Sequence, residues 1–180
     1  MMKRIVITGG PSTGKTTLID YMEQKGLHCI PEISRAVILA AREEGIEQLF
    51  LEDPILFSQR LLEGRLRQFK ETAQSTSDRI FFDRGLPDVT AYMDYLGTTY
   101  PEHFPKTCLE YRYDVVFLLP PWKEIYQQDS ERYESFEQAE KIHLALVKAY
   151  EKYNYNIHTV PFGTVEERMA YILTTLKINH

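Results

Sequence analysis

Eight consecutive residues, Gly9, Gly10, Pro11, Ser12, Thr13, Gly14, Lys15 and Thr16, match GxxxxGK followed by Ser or Thr at every fixed position. For this composition a chance match is expected in roughly 0.3% of chains, so the spacing is informative. Glycines let the backbone turn until successive N–H groups point inward at phosphate oxygens. A helix starting near Gly14 adds about half a positive charge at its N-terminus. Lys15 supplies a cation for β- and γ-phosphates, and Thr16 offers a hydroxyl to Mg²⁺. The plainer alternative is a Gly-rich turn with a surface lysine. A strand before the motif and an amphipathic helix after it favour phosphate binding.

A carboxylate, Asp83, ends the apolar run Arg79–Asp83. That is where a phosphate-loop protein places its second Mg²⁺-linked acid. The other long apolar run ends in Leu119-Pro120-Pro121 and offers no rival. Arg84 follows Asp83, where a hydrolytic motor often carries a glutamate that polarises water. An arginine suits an anionic or hydroxyl-bearing substrate beside the γ-phosphate. Asp83 also reads as an ordinary turn aspartate before Gly85-Leu86-Pro87. Glu32, after Pro31, reaches the same edge as a base or acceptor for a hydroxyl. It reads equally as a helix-start glutamate favoured by the dipole. Arg35, at i+3 from Glu32, shares its helical face. Arg132 lies in the charged stretch 127–132, where a lid could bring it onto the transferring phosphate; the alternative is a solvated loop arginine. Gln59 and Arg60 face either a substrate pocket or solvent. Tyr92 and Tyr95 suit stacking on a ring or core packing. Phe162-Gly163-Thr164 passes a nucleotide base or forms a turn with a Thr N-cap.

Positioning these groups requires strands that alternate with helices. Lys3–Thr8, Leu27–Ile30, Arg79–Asp83, Tyr113–Leu119 and Tyr155–Val160 read as strands. Helices read over Gly14–Lys25, Glu32–Glu44, the segment after Asp53-Pro54, Pro87–Leu96, Ser135–Tyr153 and Val165–Leu176. The helix after Pro54 carries Phe57, Leu61, Leu62, Leu66, Phe69 and Ala73 on one stripe. This alternation predicts parallel βαβ units with both sheet faces covered. Phosphate chemistry in such a fold sits at the C-terminal strand ends, where the motifs fall.

The chain has 180 residues, 43% hydrophobic and 26% charged, which suits one domain with a lid segment at about 121–135. A net charge of −5, without a Lys/Arg block, argues against general nucleic-acid or anionic-membrane binding. No apolar run approaches the ~20 residues of a membrane helix. Two distant cysteines and five scattered histidines give neither a disulfide framework nor zinc spacing, and a reducing cytoplasm is the expected location.

Five segments together, ITGGPSTGKTTLI, PEISRAV, FFDRGLPDVTAY, LLPPW…DSERYESFEQA and VPFGTVEERMAYIL, resemble the AAA-type predicted ATPase/kinase family. The relatives of that family include nicotinamide riboside kinase domains and nucleoside kinases. The resemblance implies an α/β, three-layer P-loop NTPase with a five-stranded parallel sheet of nucleoside/nucleotide-kinase type and a helical lid. It implies ATP with Mg²⁺ at Gly9 to Thr17. Asp83 and Arg84 then take the place of the Asp/Glu-Arg pair of deoxynucleoside and thymidylate kinases. Glu32 resembles their hydroxyl-facing acid and Arg132 their lid arginine. Two readings follow: a kinase acting on a small nucleoside-like hydroxyl, or an ATP hydrolase or switch acting on a protein partner. The kinase accounts for more of the residues, with Glu32, Arg35, Gln59 and Arg84 toward the acceptor. A guanine-reading Asn-Lys-x-Asp or Thr-Lys-x-Asp segment is absent.

Overall fold

The structure is a computed structural model that describes residues 1–126 and 134–178. Along the chain run β1 (Lys3–Thr8), α1 (Lys15–Gln24), β2 (Cys29–Ile30), α2 (Ser34–Glu43), α3 (Leu49–Glu52) and α4 (Pro54–Glu71). Then come β3 (Arg79–Asp83), α5 (Leu86–Tyr95), α6 (His103–Glu110) and β4 (Val115–Leu118). The series ends with α7 (Phe136–Lys152), β5 (Ile157–Thr159) and α8 (Val165–Ile178). All strand pairs are parallel, in the order β2-β3-β1-β4-β5.

Strand periodicity of two sorts the core onto two faces. Ile5, Ile7, Phe81 and Phe117 pack with Leu18, Ile19 and Met22 of α1 and Ile172 and Leu176 of α8. Val6, Ile80, Phe82 and Val116 turn the other way, toward Leu61, Leu62 and Phe69 of α4, Val89 and Met93 of α5, and Tyr150 of α7. Each such side chain, fully buried, contributes on the order of 1.5–3 kcal/mol. Ile7 pairs in register with Asp83. The carboxylate therefore ends its strand on the α1 face, beside the phosphate loop.

Local signals set several helix ends. The Asp53 carboxylate accepts from Leu56 N–H at 3.0 Å, and Pro54 fits the first turn because it has no N–H to leave unpaired. Ser135 and Gln138 cap α7 reciprocally, at 2.8 and 3.1 Å.

The five strands fall where the hydrophobic runs predict, each within about two residues. Three differences matter. Helix α2 starts at Ser34, so Glu32 precedes it, and the helical i+3 relation of Glu32 to Arg35 does not exist. The short helices α3 and α6 were not anticipated; α6 buries only Phe104 and Cys108, too few for a clear stripe. Residues 127–133 of the expected lid, Arg132 among them, lie outside the described residues. Among the described residues no helix is long and apolar enough to cross a membrane.

Candidate active site

The phosphate loop connects the buried end of β1 to α1. A side chain at Gly9 would place its Cβ 2.8 Å from the Leu119 carbonyl oxygen, so only glycine lets the loop pass under β4. Gly14 has φ of 75°, a left-handed conformation that glycine adopts without a Cβ penalty. Among the described residues nothing accepts from the backbone N–H groups of Gly14, Lys15 and Thr16. These are the unsatisfied first-turn donors of a helix, which suit an anion. The Ser12 hydroxyl is also buried without a partner. Oriented amides, an unpartnered hydroxyl and glycines that leave room fit a triphosphate.

Lys15 is buried and ion-paired with Asp83. Burial and the nearby Arg84 pull its ammonium below the ordinary lysine pKa, while Asp83 and Asp88 pull the other way. Thr16 lies exposed at the start of α1. Its hydroxyl and the Asp83 carboxylate are hard oxygen donors of the kind Mg²⁺ takes. The described residues hold no cluster of three or more His, Cys, Asp or Glu side chains able to bind a metal. An ion here would take most of its ligands from nucleotide and water, the usual pattern for Mg²⁺ at phosphates.

Arg84 follows Asp83 with φ of 72°, uncommon for a residue with a side chain. Surrounding bonds over-determine this turn. Arg84 N–H donates to Ile7 O at 3.0 Å and Leu86 N–H to the Tyr113 hydroxyl at 3.2 Å. Gly85 N–H donates to Asp88 Oδ2 at 2.9 Å. Asp88 is fully buried and also accepts from Thr8 and Tyr150, each at 2.5 Å. The Arg84 guanidinium donates to the Tyr92 hydroxyl at 2.9 Å and lies 4.0 Å from Asp88. Burial opposes its charge, but Tyr92, Asp88 and Glu32 outweigh burial and hold its pKa above the ordinary arginine value.

Beside this turn opens a cavity of about 350 Å³. Phe50, Phe57, Leu61, Val89, Tyr92 and Met93 give it an aromatic and aliphatic wall, and Ser34, Ser58, Arg65, Arg84 and Asp88 supply polar groups. Glu32 does not itself line the cavity, but it is bonded to two residues that do, Ser34 and Arg65. It accepts from Ser34 N–H at 2.8 Å, from the Ser34 hydroxyl at 2.5 Å and from Arg65 at 3.0 Å. Burial alone would raise the Glu32 pKa; Arg65 and Ser34 together bring it below the ordinary carboxylate value.

Phosphate loop, Asp83, Arg84 and Glu32 thus gather at the C-terminal edge of the sheet. Tyr92 and Tyr95 line the cavity. Arg35 is exposed and does not line it. Gln59 points to α6, bonding His103 at 2.5 Å and Glu63 at 2.7 Å, while its neighbour Ser58 faces the cavity. Arg60 pairs with Glu44 at 2.6 Å. Phe162 stacks on Trp122 with centroids 5.0 Å apart.

Two site residues escaped sequence reasoning. Arg65 is 4% exposed and bonds Glu32 and the Gly85 carbonyl. It lies at i+4 from Leu61 and i−4 from Phe69, so the apolar stripe itself marked it as an inward-facing cation. Asp88 stands three residues after Gly85, the position of a capping-box acid.

The model of the AAA domain family matches residues 4–168. No curated protein sequence matches the chain. Among solved structures, deoxyadenosine kinase from M. mycoides with dCMP and dCDP superposes with a TM-score of 0.66 at 17% identity, covering 97% of this chain and 98% of that one. The NadR protein in complex with NR gives 0.65 at 19% identity, over 88% of this chain and 43% of NadR. Its complex with NAD and AMP-PNP gives 0.64 at 18%, over 98% of this chain and 49% of NadR. These likenesses establish the fold, an α/β P-loop fold shared with nucleoside kinases, and the family match places the chain in the AAA domain family.

Proposed function

We propose that this protein is a Mg²⁺- and ATP-dependent kinase that phosphorylates a hydroxyl of a small nucleoside-like molecule. One observation carries the reading. The turn Asp83-Arg84-Gly85 touches the phosphate-loop lysine on one side and lines an aromatic cavity on the other. In this reading the donor phosphates and the acceptor ring lie on opposite sides of that turn. The NadR structures with AMP-PNP and with NR support a nucleotide donor and a nucleoside-like acceptor.

In the proposed reaction the loop amides and Lys15 hold the β- and γ-phosphates. Glu32 takes the proton of the acceptor hydroxyl as its oxygen bonds to the γ-phosphorus, and the bond from that phosphorus to the ADP oxygen breaks. Glu32 is a weak base, which suffices for a loose transition state that asks little of the nucleophile. Arg84 offsets charge on the γ-phosphoryl oxygens, aided by Arg132 of the proposed lid. Thr16 and Asp83 would hold Mg²⁺, which supplies charge neutralisation on the phosphates. Arg35 and Gln59, set apart from the cavity, take no part in this scheme.

The test is ADP formation from Mg²⁺-ATP, alone and with a panel of nucleosides, nucleotides and NR. The expected result is a sharp rise with one compound and a matching phosphorylated product. Slow ADP formation indifferent to the panel would overturn the nucleoside-kinase reading in favour of hydrolysis or a switch.

A further inference from the structure

Arg168, on α8, is 2% exposed and does not line the proposed acceptor cavity. Its Nη1 donates to the carbonyl oxygen of Thr13 in the phosphate loop at 2.7 Å, and its Nε to Pro161 O at 3.1 Å. The guanidinium carbon lies 5.7 Å from the centroid of Trp122. Trp122 N–H in turn donates to Ser12 O at 2.6 Å. Two consecutive carbonyls of the loop are therefore gripped from outside.

A trans peptide points its C=O and the following N–H in opposite directions, and no peptide bond among the described residues is cis. Holding Thr13 C=O outward thus turns Gly14 N–H inward, and that N–H has no acceptor among the described residues. The positive φ values of Ser12 and Gly14 bracket Thr13, and left-handed residues in a turn make successive N–H groups converge. A second observation points the same way. Arg168 pairs with no carboxylate among the described residues, and its Nη2 is buried without a partner. A buried, unpaired cation is costly unless an anion offsets it. Behind this loop it adds positive potential where phosphate would lie.

We propose that Arg168 is a positioning residue that pre-orients the phosphate-loop amides from behind and acts on the phosphate chain of the nucleotide, not on its base. The proposal rests on the phosphate-loop part of the functional reading and is independent of the acceptor.

The test measures binding of Mg²⁺-ATP, Mg²⁺-tripolyphosphate and adenosine by calorimetry to the wild type, Arg168→Met and Arg168→Lys. A charge-assisted hydrogen bond of this kind is worth about ten- to a hundredfold in affinity. Arg168→Met is expected to weaken ATP and tripolyphosphate alike by about that factor and to leave adenosine unchanged. Arg168→Lys, which keeps a cation that can reach one carbonyl, should recover part of the loss. It also carries the test if Arg168→Met fails to fold. Loss of ATP with tripolyphosphate unchanged would make Arg168 a reader of the base and overturn the proposal. Equal losses for all three ligands would reduce Arg168 to general support and overturn it too, as would no change at all. A wild type that binds neither phosphate compound would sink the phosphate-loop reading itself. A wild type that binds both but phosphorylates no acceptor would sink only the kinase reading.

Discussion

In the proposed reaction Glu32 and Lys15 play separable parts. Lys15→Ala is expected to abolish phosphoryl transfer and hydrolysis together, because both need the phosphates held. Glu32→Gln should lower acceptor-dependent transfer by about 10²–10⁴-fold, the usual worth of a positioned base, while ATP affinity measured by calorimetry stays within a few-fold. Loss of ATP affinity in Glu32→Gln would contradict the assignment. The pH profile supplies a finer test. Arg65 and Ser34 hold the Glu32 carboxyl below its ordinary pKa of 4.5 against burial, which pushes it up. The acidic limb of kcat/KM should therefore fall below pH 4.5. Arg65→Met removes the largest downward pull and leaves Ser34 to act against burial, so the limb should move up in pH. Stability follows the same sign: the Glu32 contribution is present above the unfolded pKa and lost as pH falls through the lower folded value. Lys15 and Asp83 were legible in the sequence because a contiguous motif and a strand end define them. Arg65 and Arg168 were hidden because their meaning lies in partners 33 and 155 residues away. The periodicity still held a trace of both, since each falls on a buried helical stripe; Arg168 stands at i−4 from Ile172 and i−8 from Leu176.

Helix α5 supplies Asp88, Val89, Tyr92 and Met93 to the cavity, and its start is tied to two other elements, β1 and α7, through Asp88. That carboxylate links Thr8 at the end of β1, Gly85 before α5 and Tyr150 on α7. All of its partners donate, so a buried charge is satisfied without a full ion pair, Arg84 standing 4.0 Å off. Tyr150→Phe should cost about 1–3 kcal/mol of unfolding free energy in a urea titration, because a buried acceptor loses its donor. Asp88→Asn should cost a similar amount and in addition lower kcat more than it changes ATP affinity, since the left-handed Arg84 turn loses support. A variant with unchanged kcat would show that the turn holds without Asp88. Strand positions were readable because each β-branched or aromatic run is bounded by Gly, Pro or an acid. The start of α2 was not. The side chain of Glu32 bonds Ser34 N–H and so occupies the position ahead of the helix instead of its first turn.

Across the whole molecule, net charge and site charge tell different stories. The chain carries −5 overall, a poor general attractor of phosphate. At the sheet edge, however, Lys15, Arg84 and Arg168 gather behind and beside a loop of inward-facing amides, opposed there by Asp83 and Asp88. Nucleotide affinity must then come from short-range, oriented donors, and it should respond only modestly to salt, since buried charges are little screened. Because those donors belong to the phosphate loop, the start of α1, the turn after β3 and α8 together, binding should stabilise the entire domain. Mg²⁺-ATP at a hundredfold excess over Kd adds about 2.7 kcal/mol to the unfolding free energy. For a chain of this size that raises Tm by roughly 5–10 °C. Gly14→Ala, which forces a Cβ to within 3.0 Å of the Arg168 guanidinium at a φ of 75°, should lose most of that shift. Thermal melts with and without nucleotide read it directly. A full shift retained in both Gly14→Ala and Lys15→Ala would place the nucleotide somewhere other than this loop.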